Sequence, residues 1–283
     1  MNALELLRNV KNNLQTVYDE QEAQALSFIL LEHFSNHSKT ELLTNLPIPI
    51  EGFSSSLAQA QVRLLNEEPI QYILGEAYFY EDYFIVSPDV LIPRPETEEL
   101  VHLIYTENKA TPFVSILDLG TGSGCIACTL KTLLPQANLL ALDFSEAALA
   151  IARKNAAKQK VSIRFLHYDL LTSQEPLPIV DVLVSNPPYI PEYDKGRIKK
   201  NVLDFEPISA LFVPDADPLL FYTTILKKSL TCLKPGGKLY FEIHESFGEA
   251  IGKEFEDYGF QHIQLLKDLS GKDRIVSGRK AEE

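Results

Sequence analysis

Four apolar, strand-like runs, at residues 114–119, 138–143, 162–166 and 180–185, alternate with helical segments in the second part of this chain. Such alternation buries strands in a parallel sheet covered on both faces, because each parallel crossover lays a helix on a face. Leu233-Lys-Pro-Gly-Gly-Lys238 reads as a turn into a fifth strand at 239–243, and runs near 262–265 and 274–277 predict a closing hairpin or reversed edge strand. In an open sheet of this class ligands bind beyond the carboxyl ends of the strands, where the strand order reverses.

The strand ends therefore carry the chemistry. Strand one runs into Asp118-Leu-Gly120-Thr121-Gly122-Ser123-Gly124, with a helix at once behind it. Glycines at alternate positions let the backbone turn sharply and approach a ligand, and the helix start offers free N–H groups to an anion. A nicotinamide-type fingerprint places its third glycine later, so this spacing fits that reading poorly. Strand two ends in Asp143, about 20 residues further on, where an acid holds both ribose hydroxyls. Strand three leads to Asp169 and Leu170, an acceptor for an adenine amino group and an apolar wall for its ring, with His167 and Tyr168 as space-fillers.

Strand four stops in Asn186-Pro187-Pro188-Tyr189, since two prolines cannot continue a ladder and the residue before a proline is held extended. The Asn186 side chain and the Pro187 carbonyl can both face outward as acceptors, one for each hydrogen of a planar NH2 group. By this reading Asn186→Asp is milder than Asn186→Ala, because an oxygen remains.

Residues 1–75 read differently. Ala3, Leu6, Leu7, Val10, Leu14 and Val17 fall on one helical face, Ala23, Leu26, Leu30 and Phe34 on a second, and Leu57, Ala60 and Leu64 on a third after a break at 46–52. This is a small helical bundle, without clustered catalytic residue types, that serves recognition or packing. Residues 76–90, with aromatic runs around a short polar turn, predict a bridging hairpin, and 91–283 form the α/β domain. Pro95, in Leu91-Ile-Pro-Arg94-Pro95-Glu96-Thr-Glu98, can open a helix at its first turn, and the loop before it can close over a ligand.

Composition narrows the classes further. With 283 residues and 45% hydrophobic content the chain can bury a substantial core. No run of about 18 apolar residues and no basic, apolar leader stand out, so a cytoplasmic protein with no membrane partner is expected. Three cysteines, two of them as Cys125-Ile-Ala-Cys128 at a helix start, read as buried packing rather than a disulfide framework or a metal site. A net charge of −13 disfavours direct nucleic-acid binding and suits a basic protein partner.

Taken together, the glycine loop Gly120–Gly124, Asp143, Asp169 and Asn186-Pro-Pro-Tyr189 resemble class I S-adenosylmethionine-dependent methyltransferases. Arg63, Glu68-Pro-Ile-Gln-Tyr-Ile-Leu-Gly75, Ile92-Pro-Arg-Pro-Glu-Thr-Glu98, Glu206-Pro207, Ala210-Leu-Phe212 and Arg274 are similar to the peptide chain release factor glutamine methyltransferases in particular. The chain departs from that pattern at Val213–Pro218 and at Glu242-Ile-His244. The resemblance implies a Rossmann-like domain with a mostly parallel seven-stranded sheet, preceded by the helical bundle. It also implies methyl transfer from S-adenosyl-L-methionine, leaving S-adenosyl-L-homocysteine and using no metal, to N5 of the glutamine in the Gly-Gly-Gln loop of class I release factors. Gly120, Thr121, Gly122, Ser123, Gly124, Asp143, Asp169, Leu170 and Asn186 would contact the cofactor. Asn186, Pro187, Pro188 and Tyr189 would hold the glutamine, with Asn186, Pro187 and Tyr189 catalytic and Tyr189 packed on the amide plane. A cytoplasmic monomer is expected. The alternative is a DNA or RNA adenine amino methyltransferase using the same tetrad on a flipped base.

Overall fold

The computed structural model describes residues 2–282. By contact density the chain divides into two compact units, Met1–Gly75 with Lys199–Phe205, and Glu76–Ile198 with Glu206–Glu283.

The first unit is helical, with helices at Ala3–Leu14, Glu20–Ser35, Lys39–Leu42, Ser54–Leu65 and Ile70–Leu74. Local chemistry starts them: Asn2 and Asp19 accept N-cap bonds, and Ser38 with Glu41 forms a capping box. Ala3, Leu6, Leu7, Val10 and Leu14 meet Ala23, Leu26, Leu30, Leu57, Ala60 and Leu64 in one apolar core. Val17 falls outside it at 45% exposure, because the first helix ends at Leu14 and the turn swings Val17 out of phase. Arg63 reaches Glu68 with Nε at 2.7 Å and the Tyr72 carbonyl with Nη2 at 3.2 Å, tying the two last helices together.

The second unit is built on a seven-stranded sheet: β1 Ser115–Leu119, β2 Asn138–Asp143, β3 Arg164–His167, β4 Val180–Ser185, β5 Leu233–Glu242, β6 Phe260–Lys267 and β7 Asp273–Lys280. Their spatial order is β6-β7-β5-β4-β1-β2-β3. All pairs from β5 to β3 are parallel, and β7 runs antiparallel to both β5 and β6. Side chains alternate across the sheet: Ile116, Val182, Val184 and Tyr240 enter one buried cluster, Leu117, Leu183, Leu239 and Phe241 the other. The order reverses between β1 and β4, so the glycine loop and Asn186 leave the sheet at adjacent strand ends.

Two boundaries differ from the sequence reading. β3 begins at Arg164, where pairing with Leu140 begins. The segment Lys234-Pro-Gly-Gly lies within β5 as a bulge, since Val180 pairs with Leu233 and Val182 with Lys238. Only glycine fits at Gly237, where a Cβ would stand 2.9 Å from the Asp181 carbonyl oxygen.

The hairpin Glu76–Phe79 and Asp82–Ile85 turns at Tyr80 and Glu81, both left-handed, and sends Phe79 and Phe84 into the core. It is fastened by Asn155, which is fully buried on the helix Glu146–Lys158. Asn155 accepts from Ile85 N at 2.6 Å and donates to the carbonyls of Ile85 at 2.9 Å and Ser123 at 2.8 Å. Asn155→Ala takes this partner from one buried and two part-buried backbone groups, and chemical denaturation should show a loss of roughly 3 kcal/mol. A loss below 1 kcal/mol would mean that water replaces the amide at this site.

Candidate active site

The carboxyl ends of β1, β2, β3 and β4 surround a cavity of about 490 Å³. Its wall includes Gly120, Thr121, Gly122, Ser123, Asp143, Asp169, Leu170, Asn186, Pro187 and Pro188.

The loop after β1 is held open by its own chemistry. Gly120, Gly122 and Gly124 all have positive φ. At Gly124 a Cβ would also stand 3.0 Å from Ala152 Cβ, so this glycine lies behind the loop against a helix. It is accordingly not among the residues that line the cavity, in contrast to the other four of the loop. Thr121 donates from N to the Leu142 carbonyl at 2.9 Å and from Oγ1 to Asp118 Oδ2 at 2.6 Å. Asp118 is fully buried. Burial pushes its carboxyl up to about 7, against the lowering effect of the Thr121 hydroxyl.

Asp143 has a structural task beside any ligand. Its Oδ2 accepts from Gly122 N at 2.8 Å and its Oδ1 from Ser145 N at 2.9 Å, so it staples the glycine loop to the end of β2. Burial raises its pKa, and those backbone N–H groups partly offset the rise. Asp169 likewise caps its own turn, accepting from Leu171 N at 2.9 Å and from Thr172 Oγ1 at 2.7 Å. Asp169 Oδ1 also accepts from Thr172 N at 3.3 Å, so Oδ2 is the Asp169 oxygen that retains a lone pair for a ligand donor. Tyr168, read as a space-filler, also lines the cavity. His167 does not, because its Nε2 donates to the Phe144 carbonyl at 2.7 Å.

β4 delivers Asn186 and the two prolines to the wall. Asn186 Nδ2 donates to Thr97 Oγ1 at 3.4 Å, and Thr97 Oγ1 donates to Glu242 Oε2 at 2.6 Å. Tyr189 turns away from the cavity wall. Its hydroxyl donates to Glu242 Oε1 at 3.3 Å, and its ring meets His244 edge-on at 6.1 Å. Tyr189 is thus not among the residues that line the cavity, and its hydroxyl shares Glu242 with Thr97, the neighbour of Asn186. Burial and the Glu242 charge both push its phenol above the ordinary range.

Pro95 opens the helix Pro95–Asn108, and Leu91, Pro93, Arg94 and Thr97 also line the cavity. Glu206, 4% exposed, pins this loop by accepting from Arg94 Nη2 at 2.6 Å and from Ile92 N at 3.2 Å. Cys125 and Cys128 are buried and free, and burial lifts both thiols, Cys125 to about 12. No described helix is long and apolar enough to cross a membrane, and no group of three or more metal-ligating side chains gathers among the described residues.

Two family models match this chain, the PrmC N-terminal domain over residues 5–75 and the methyltransferase small domain over residues 98–203. A release factor glutamine methyltransferase of Bacteroides thetaiotaomicron is 41% identical over 96% of this chain and 98% of its own length. That of Flavobacterium psychrophilum is 41% identical over 93% of this chain and 94% of its own. The chain belongs to the release factor glutamine methyltransferases. Among solved structures the hMettl16 catalytic domain, in complex with an RNA hairpin, superposes with a TM-score of 0.56 at 17% identity, covering 71% of this chain and 75% of that one. At that identity the likeness bears on the fold alone, a Rossmann-like methyltransferase sheet.

In this glutamine methyltransferase family member, Thr97, Glu206 and Glu242 are the side chains that sequence reasoning left without a role. Thr97 stands in the stretch Ile92–Glu98 and Glu206 in Glu206-Pro207, both part of the family resemblance, and Glu242 stands in Glu242-Ile-His244, where the chain departs from it. Their signal was chemical: an acid at the end of a buried strand needs donors, and Thr97 and Tyr189 supply them.

Proposed function

We propose that this chain transfers a methyl group from S-adenosylmethionine to the side-chain amide nitrogen of the glutamine in a release factor's Gly-Gly-Gln loop. The observation that carries this reading is that Asn186, Pro187 and Pro188 share one cavity with the glycine loop and Asp143. The donor set fits such a cofactor. Spare lone pairs on Asp143 suit a ribose diol, and Asp169 and Leu170 suit an adenine. When bound, S-adenosylmethionine supplies an electrophilic methyl on a sulfonium.

An amide nitrogen is a poor nucleophile, because its lone pair is delocalised into the carbonyl. Asn186 Oδ1 and the Pro187 carbonyl accept its two hydrogens and stabilise the positive charge that develops as the nitrogen attacks. They also fix its direction of approach, and holding the reacting atoms in line supplies much of the rate. The nitrogen gains the methyl as the methyl's bond to sulfur breaks, which would leave S-adenosylhomocysteine as a neutral thioether, and the nitrogen sheds a proton to solvent. No nucleophilic side chain takes part. Residues 1–75 form the module that recognises the release factor, 76–90 the connecting hairpin and 91–283 the catalytic domain. The enzyme works as a cytoplasmic monomer on the free protein factor.

Incubation with methyl-labelled cofactor and an intact release factor, followed by mass spectrometry, tests the reading. Label is expected on the Gly-Gly-Gln glutamine and should vanish when that glutamine is changed to alanine. Label in DNA or RNA adenine instead would hand the site to a base-methylating activity.

A further inference from the structure

We infer that Glu242 and Thr97 are positioning residues that decide which end of the Asn186 carboxamide faces the methyl acceptor. This rests on the functional reading above and extends it to two side chains that need not touch substrate.

Hydrogen-bond polarity makes the case. Glu242 is 1% exposed at the end of β5 and accepts from two hydroxyls, Thr97 Oγ1 at 2.6 Å and Tyr189 at 3.3 Å. A carboxylate only accepts, so the single hydroxyl hydrogen of Thr97 is committed to it. Toward any third group Thr97 Oγ1 is then only an acceptor. Asn186 Nδ2 stands 3.4 Å from that oxygen, and the amide must present its NH2 there. A 180° flip would set the lone pairs of Oδ1 against those of Thr97. Asn186 Oδ1 is therefore left to meet a donor from the cavity.

The relay runs in one direction, from Asn186 to Thr97 to Glu242, and it shapes the corner for an N–H donor. An acceptor group placed there meets another acceptor. Burial works against the Glu242 charge, with a smaller contribution from Glu96, while Thr97, Arg274 and Tyr189 support it. A neutral Glu242 could donate to Thr97 and free the Thr97 hydrogen for Asn186 Oδ1, which reverses the relay.

Reversal gives the test, because it predicts a change of sign. Asn186→Asp places a second acceptor against Thr97, so it should be as damaging as Asn186→Ala, contrary to what retention of an oxygen alone implies. Glu242→Gln lets an amide NH2 face Thr97 and releases the threonine hydrogen toward position 186. Alone, Glu242→Gln should lower kcat on the order of tenfold, because Asn186 loses its fixed orientation. Combined with Asn186→Asp it should raise kcat on the order of tenfold over Asn186→Asp by itself, since Thr97 now donates to the introduced carboxylate.

The experiment measures kcat and KM for methyl transfer to intact release factor by all four chains, with thermal melts as a check on folding. Opposite signs of the Glu242→Gln effect in the two backgrounds are expected, with KM for the cofactor unchanged. The same fold-change in both backgrounds would overturn the relay. Absence of glutamine methylation by the unmodified enzyme would instead overturn the functional reading. Should Glu242→Gln fail to fold, Thr97→Val against Thr97→Ser decides: a kcat loss on the order of tenfold confined to valine supports the relay. Equal kcat in those two chains overturns it.

Discussion

Asn186→Ala should lower kcat for methylation of the release factor glutamine on the order of 10²–10³-fold, the scale of removing one hydrogen-bonding group aimed at developing transition-state charge. The acceptor amide would keep only the Pro187 carbonyl, and one N–H would face an empty wall. Because the lost bond strengthens as positive charge builds on nitrogen, the effect should fall mainly on kcat and less on KM for the protein substrate. The residue is partly buried, and its side chain makes one long contact, to Thr97 Oγ1 at 3.4 Å. The variant should therefore melt close to the parent. Steady-state transfer from labelled cofactor checks the prediction, and a folded variant with parental kcat would remove Asn186 from the chemical step.

Asp143→Ala should weaken S-adenosylmethionine binding by roughly 1.5–3 kcal/mol, about 10- to 100-fold in Kd, the cost of losing hydrogen bonds to a charged group. Two causes combine here. The variant lacks an acceptor for the ribose hydroxyls, and it also frees Gly122 N and Ser145 N, so the loop that cradles the ligand loses its staple. Asp143→Asn separates them poorly, since its amide must turn an NH2 toward one of those backbone donors. Titration calorimetry reads the affinity directly. Parental affinity in a folded Asp143→Ala chain would place the ribose elsewhere.

The architecture was legible because it is written in local periodicity. Apolar runs marked the five parallel strands, with the starts of β3 and β5 displaced, the runs near 262–265 and 274–277 marked the antiparallel pair, and the prolines after Asn186 marked the end of β4. The glycine loop was equally plain, since positive φ at Gly120, Gly122 and Gly124 requires the residue that stands there. Local reading failed where a neighbour in space overrode it. Lys234-Pro-Gly-Gly has the composition of a turn, yet pairing with β4 absorbs it as a bulge. Val17 keeps helical phase in the sequence, but the helix ends three residues before it.

Within the site, residue types alone determined which atoms could accept and donate, and so the class of ligand that the strand ends suit. Only the tertiary structure decided how those atoms are turned. Thr97 lies 89 residues from Asn186 and 145 from Glu242, and no periodicity links them. They meet because β5 lies beside β4 and the helix that begins at Pro95 lays its first turn on the same corner. The direction in which the Asn186 amide points follows from a buried carboxylate that cannot donate, a property of the assembled corner and of no single stretch of chain.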